Sequence, residues 1–211
     1  MPRPVDFSIY LITDRLNLPG GKHLLPQVEA ALLGGVRCVQ LREKDLPPDD
    51  LLTLAIEMRM LTAAFGARLL INGHPEIART VDADGVHLGS DTVDIEETRR
   101  LLGTDKLIGV STHHTREIAS AASGGADFVT FGPVWFTASK APYGKPVGLD
   151  KLREACTDAP LPLFALGGVT AERTVELQEA GCARVGCIGA ILNTDDPRMA
   201  AKELIRRLEG P

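Results

Sequence analysis

A chain of 211 residues with a formal net charge of −5 has room for a sizeable core and presents no general basic surface for nucleic acid. Apolar residues make up 44% of it, yet no run approaches the ~20 needed to cross a bilayer. The N-terminus, MPRPVDFS, lacks the basic flank and apolar stretch of a signal peptide, so the sequence reads as cytoplasmic and free of membrane.

The first apolar, β-rich run is SIYLIT (8–13), and LLPQVEAALLGG (24–35) follows with helical periodicity. CVQLR (38–42) is the second strand, and the helical segment DDLLTLAIEMRMLTAAFG (49–66) comes after it. RLLIN (68–72) and GVHLG (85–89) are the third and fourth strands, the latter leading to the helix DIEETRRLLG (94–103). LIGVST (107–112), the helix TREIASAASGG (115–125), FVTFG (128–132) and PLFALGG (162–168) continue the alternation. ERTVELQEAG (172–181), RVGCIG (184–189) and PRMAAKELIRRLEG (197–210) close it. Most helical segments end in the glycine expected just past a helix C-terminus.

Strands that are apolar almost throughout and alternate with helices are parallel strands buried on both faces. Eight such units are the number that closes into a (β/α)8 TIM barrel, here a single α/β domain over residues 1–211. An open doubly wound sheet with two edge strands is the competing architecture. Cys38, Cys156, Cys182 and Cys187 show no CxxC spacing, and three of them fall in or beside strand-like runs, which predicts reduced, packed thiols.

A barrel of this kind carries its active site at the C-terminal ends of its strands. At the second end, alternate residues of an extended chain share a face, so Gln40, Arg42 and Lys44 point at one object, most simply an anion. Lys140, with the hydroxyls of Thr137 and Ser139, joins them from FTASKAPYGKP, the loop after the sixth strand. Gly167-Gly168 and Gly186–Ala190, at the seventh and eighth ends, suit a phosphate held by main-chain N–H groups, with Ile188 and Gly189 among its donors. Each feature alone is also compatible with a turn or a solvated charged face. Together they point to two phosphate-bearing groups, one simple and one more highly charged, such as a diphosphate.

Among the histidines, His87 packs or orients a neighbour, His113 and His114 begin the loop after the fifth strand, and His74 follows Gly73. No HxxxH or HExxH spacing points to a histidine metal site.

QLREK at 40–44, DGVHLG at 84–89, GVSTH at 109–113, ADFVTFGPV at 126–134 with TASK at 137–140, and LGGVT at 166–170 together resemble thiamin phosphate synthase and its relative, the thiazole tautomerase. The synthase resemblance implies a transferase that joins hydroxymethylpyrimidine diphosphate to a thiazole phosphate, releasing diphosphate through a pyrimidine carbocation. It implies that Gln40 and Asn72 hold the pyrimidine, and that Arg42, Lys44, Ser111 and Lys140 bind the diphosphate. Thr137 and the backbone at Gly168, Ile188 and Gly189 would take the thiazole phosphate. The partners it implies are small phosphorylated molecules, and a homo-oligomer is compatible with it.

The family pattern also implies Mg2+ on the diphosphate, held by an Asp that follows the Asn of the third strand and by another in the loop after the fourth. Here those positions read Asn72-Gly73 and Thr92, leaving Asp91 as the candidate metal ligand. The Asn-Gly form is similar to the tautomerase branch, in which a double bond in a thiazole carboxylate phosphate moves by proton transfer; His74 or His113 would then set the pH profile. That branch places a histidine where this chain has Pro133. A non-catalytic thiazole phosphate binder is the remaining alternative.

Overall fold

The structure, a computed structural model, describes residues 4–90, 94–137 and 145–210. Eight strands, β1 Ile9–Ile12, β2 Cys38–Leu41, β3 Arg68–Asn72, β4 Gly85–Leu88, β5 Leu107–Thr112, β6 Phe128–Phe131, β7 Leu163–Leu166 and β8 Val185–Cys187, pair in chain order. Every pairing is parallel, and β8 returns to β1 in the register Tyr10↔Gly186, so the sheet has no edge. This closure excludes the open-sheet alternative.

The period of two along each strand sorts side chains into two cores. Tyr10, Ile12, Cys38, Leu70, Leu107, Phe128 and Phe164 fill the barrel interior together with Phe7. Phe7, Tyr10, Phe128 and Phe164 pack there at ring separations of 5.1–6.1 Å, sealing the interior below the catalytic end. The intervening residues, such as Leu11, Val39, Leu69, Ile71, Val129 and Ala165, face outward into a larger core under the helices.

The helices are α1 Leu24–Leu33, α2 Pro48–Ala64, α3 Pro75–Thr80, α4 Ile95–Leu102, α5 Thr115–Ser123, α6 Gly148–Asp158, α7 Thr174–Glu179, α8 Gly189–Leu192 and α9 Pro197–Glu209. The helical periods of the sequence correspond to α1, α2, α4, α5, α7 and α9. Helices α3 and α8, at six and four residues, are too short to display a period. No helix among the described residues is long and apolar enough to cross a membrane.

Carboxylates pin the N-terminal ends of the strands. Asp84 accepts the Leu69 N–H at 3.0 Å and the Arg59 guanidinium at 2.7 Å, while Asp127 accepts the Ile108 N–H at 2.7 Å and Arg99 at 2.6 Å. Structure is thus fixed from below, leaving the opposite end to loops and chemistry. Cys38 and Cys187 are buried strand residues whose thiols burial pushes up, Cys187 to about 12, so they act as small apolar groups. Cys182, also buried, is brought below the ordinary thiol range, first by its hydrogen bond with Cys156.

Candidate active site

At the C-terminal end of the barrel lies a cavity of about 890 Å3. Gln40, Arg42, Lys44, Asn72, Ser111, Thr137, Gly167, Gly168, Ile188 and Gly189 all line it. Six of the eight strand ends or their following loops contribute to that set, which explains why residues 149 positions apart in the chain, Gln40 and Gly189, meet in one space.

Gln40 is 1% exposed, and its Nε2 donates to the Tyr10 hydroxyl at 2.8 Å. That bond fixes the amide against the barrel interior. Strand β2 ends at Leu41, and the chain then turns, with the Leu46 N–H donating to the Glu43 carbonyl at 3.2 Å. Lys44 therefore reaches the cavity by a turn and not by continued strand alternation, which corrects the geometry the sequence suggested while keeping its consequence. Thr13 Oγ1 accepts the Arg42 N–H at 2.9 Å and holds the base of the turn.

The acidic residues of the same turn, Glu43 and Asp45, also line the cavity, but Arg15 engages both. Glu43 folds inward, and its carboxylate accepts the Arg15 N–H at 3.1 and 3.3 Å; burial, the largest influence, raises its carboxyl against the opposing hydrogen bonds from Thr13 and Arg15. Arg15 also donates to Asp45 at 2.5 Å. Among the described residues neither Arg42 nor Lys44 forms an ion pair, so both charges remain available to an anion.

Their proximity has a measurable effect. Lys44 is held below the ordinary lysine range, chiefly by the Arg42 charge and secondly by burial. An anionic ligand favours charged Lys44, so affinity is present at neutral pH and is lost as pH rises through the lowered Lys44 value. Binding of inorganic diphosphate, followed by calorimetry, is expected to fall at a lower pH than an ordinary lysine dictates, and Arg42→Gln should move that fall upward. An identical profile in the variant would remove the coupling.

Just past the end of β7, Gly168 has φ +71°, and a Cβ there would lie 2.7 Å from Trp135 Cβ. Only glycine combines this left-handed backbone with so close an approach. Thr137 Oγ1 is buried without a hydrogen-bond partner among the described residues. Ser111, on β5, lies with Oγ 3.0 Å from His87 Nε2, so His87 orients a neighbour as its place inside GVHLG implied.

His74 and His113 are absent from the cavity wall: His74 caps α3, and His113 Nδ1 faces Glu117 at 3.5 Å. Ser139, Lys140 and Asp91 lie outside the described residues. Sequence reasoning missed Tyr10, Thr13, Arg15 and Arg173. The signal for Thr13 and Arg15 was their position at the first strand end, whereas Arg173 was hidden in a helical period.

The described residues do not fit the Mg2+ site of the family pattern. They contain no group of three or more His, Cys, Asp or Glu side chains able to hold a metal, and Gly73, where the family carboxylate stands, has no side chain to offer.

Residues 9–191 match the sequence model of the family described as thiamine monophosphate synthase. The chain belongs to that family. It is 53% identical over 204 residues to a Geobacter sulfurreducens protein named "Putative thiamine-phosphate synthase", covering 97% of this chain and 95% of that one. It is 41% identical over 201 residues to the thiamine-phosphate synthase of Synechocystis, covering 95% of this chain but spanning only 57% of that longer protein. Among solved structures, a thiamine phosphate pyrophosphorylase from Pyrococcus furiosus superposes with a TM-score of 0.86 at 29% identity, covering 96% of each chain. Membership in the thiamine monophosphate synthase family accounts for the barrel and for the resemblance carried by QLREK and LGGVT. None of these relatives carries a tautomerase name.

Proposed function

We propose that this chain, acting as one barrel, joins hydroxymethylpyrimidine diphosphate to a thiazole phosphate and releases diphosphate. The observation that carries the reading is the two-pole cavity, lined by Arg42 and Lys44, which form no ion pair among the described residues, and by the glycine-rich ends of β7 and β8 farther round the barrel. Gln40 and Asn72, at the ends of β2 and β3, line the same cavity and hold the pyrimidine. Arg42, Lys44 and Ser111, joined by Lys140, grip the diphosphate. Thr137 and the backbone at Gly168, Ile188 and Gly189 take the thiazole phosphate.

In the reaction the bond between the pyrimidine methylene carbon and the diphosphate oxygen breaks, and its electron pair leaves with the diphosphate. The thiazole nitrogen then supplies its lone pair to the methylene cation, forming the new C–N bond. Negative charge grows on the leaving oxygen, and Arg42 and Lys44 neutralise it from fixed positions without proton transfer. Holding both substrates in one cavity makes the second step effectively unimolecular.

The test is formation of thiamin phosphate by the purified protein from the two substrates. Product supports the synthase reading. Tight thiazole phosphate binding with no product under any metal condition would replace it with the tautomerase or non-catalytic reading.

Any Mg2+ would be held mainly by the diphosphate, with Asp91, which lies outside the described residues, the candidate carboxylate that the sequence offers. Gly73 has φ +71°, and apart from its own and its chain neighbours' atoms none of the described residues comes within 4 Å of the place its Cβ would take. Aspartate tolerates that backbone better than most residues, at a cost of about 1–2 kcal/mol. Gly73→Asp is therefore expected to lower the Mg2+ concentration for half-maximal activity by roughly tenfold, since one carboxylate is added to a site that otherwise relies on phosphate oxygens. An unchanged Mg2+ titration would count against the metal argument.

A further inference from the structure

Arg173 sits immediately before α7 and lines the same cavity as Gly168, Ile188 and Gly189. Its Nη1 donates to the Gly168 carbonyl at 2.5 Å, and its guanidinium carbon lies 4.8 Å from the centre of the Trp135 ring. Both contacts orient the side chain, and neither neutralises it: a carbonyl and an aromatic face carry no net charge. Among the described residues Arg173 has no ion pair.

A guanidinium has five N–H donors, so the bond to Gly168 leaves others for a ligand. The rotamer is already restrained by stacking on Trp135, which lessens the entropy lost when an anion binds. The Thr137 hydroxyl oxygen, on the same cavity, is buried and has no hydrogen-bond partner among the described residues, a second sign that a polar ligand completes this wall. Main-chain N–H groups supply partial positive charge only, whereas a phosphate monoester near neutral pH carries between one and two negative charges.

We infer that Arg173 is the charge-bearing ligand of the monophosphate pole and makes the site select a thiazole phosphate over the corresponding free alcohol. The inference rests on the proposal that the ends of β7 and β8 hold the thiazole phosphate. It assigns the needed positive charge to a residue on the same wall, distinct from the Arg42 and Lys44 pair at the diphosphate pole.

Trp135 is the chain's single tryptophan, so its emission reports directly on the stacked arginine. The full chain would be titrated with thiazole phosphate and, separately, with the thiazole alcohol, in the absence of pyrimidine diphosphate so that no turnover occurs. Calorimetry would give the same constants independently of the fluorophore. Wild-type protein is expected to bind the phosphate far more tightly than the alcohol. Arg173→Gln keeps an N–H donor for the Gly168 carbonyl and removes the charge; it should weaken phosphate binding about ten- to a hundredfold and alter alcohol binding by less than about threefold. Arg173→Lys, retaining charge without the fork, should recover part of the loss, and thermal melting of both variants would confirm that they fold.

If wild-type protein fails to bind thiazole phosphate, the assignment of the site itself falls. If it binds and Arg173→Gln binds equally well, the site stands and the role of Arg173 is overturned. Equal weakening of phosphate and alcohol would also overturn it, because the residue would then be holding the loop and not reading the charge.

Discussion

Arg42→Ala is expected to lower kcat/KM for the pyrimidine diphosphate by roughly a hundred- to a thousandfold, the range found when one fixed donor to a developing negative charge is removed. The proposed chemistry asks the protein mainly to stabilise departing diphosphate, and Arg42 is one of two described cations at that pole without a carboxylate partner. The substitution leaves the fold its anchor, because the Arg42 contact that holds the turn is its backbone N–H on Thr13 Oγ1. Thermal stability should consequently change little. Lys44→Ala should cost less, and the two losses should not add: removing Arg42 relieves the repulsion that depresses Lys44 and strengthens the remaining charge. Steady-state kinetics of the two single variants and the double variant, with a melt of each, form the test. Near-normal kcat/KM in Arg42→Ala would show that the departing charge is met elsewhere.

Gly168→Val is expected to weaken thiazole phosphate binding by a hundredfold or more. Two penalties combine at this position. A β-branched residue at φ +71° adopts a backbone that L-residues avoid at a cost of about 1–2 kcal/mol, and its Cβ would meet Trp135 Cβ at 2.7 Å and Arg173 Nη1 at 3.0 Å. The loop relieves both by moving, which carries its carbonyl away from Arg173 and disturbs the wall that includes Ile188 and Gly189. Diphosphate binding at the other pole should remain within about threefold of wild type, since Arg42 and Lys44 depend on the β2 turn. Separate titrations with thiazole phosphate and inorganic diphosphate would resolve the two poles. Retained thiazole phosphate affinity would remove this loop from the site.

The sequence by itself determined the barrel and the end of it at which the polar strand ends converge. Apolar runs such as RLLIN and LIGVST, separated by helical periods, carry local information that needs no knowledge of distant residues, because strand and helix periods are fixed by backbone geometry. The strand ends that line the cavity, from Gln40 to Gly189, were legible for the same reason: a parallel barrel gathers all its C-terminal ends at one face.

Only the tertiary structure decided which groups at that face retain free charge and which are consumed. Glu43 and Arg42 are adjacent in sequence and both line the cavity, yet Glu43 is held by Arg15 while Arg42 has no ion pair among the described residues. His87 reaches Ser111, 24 positions away, while His74 and His113 are left outside the wall. Arg173 looked like one more residue of a helical segment until its contacts with Gly168 and Trp135 placed it on the cavity wall. Charge pairing and side-chain direction depend on distances between residues remote in the chain, and no local period encodes those distances.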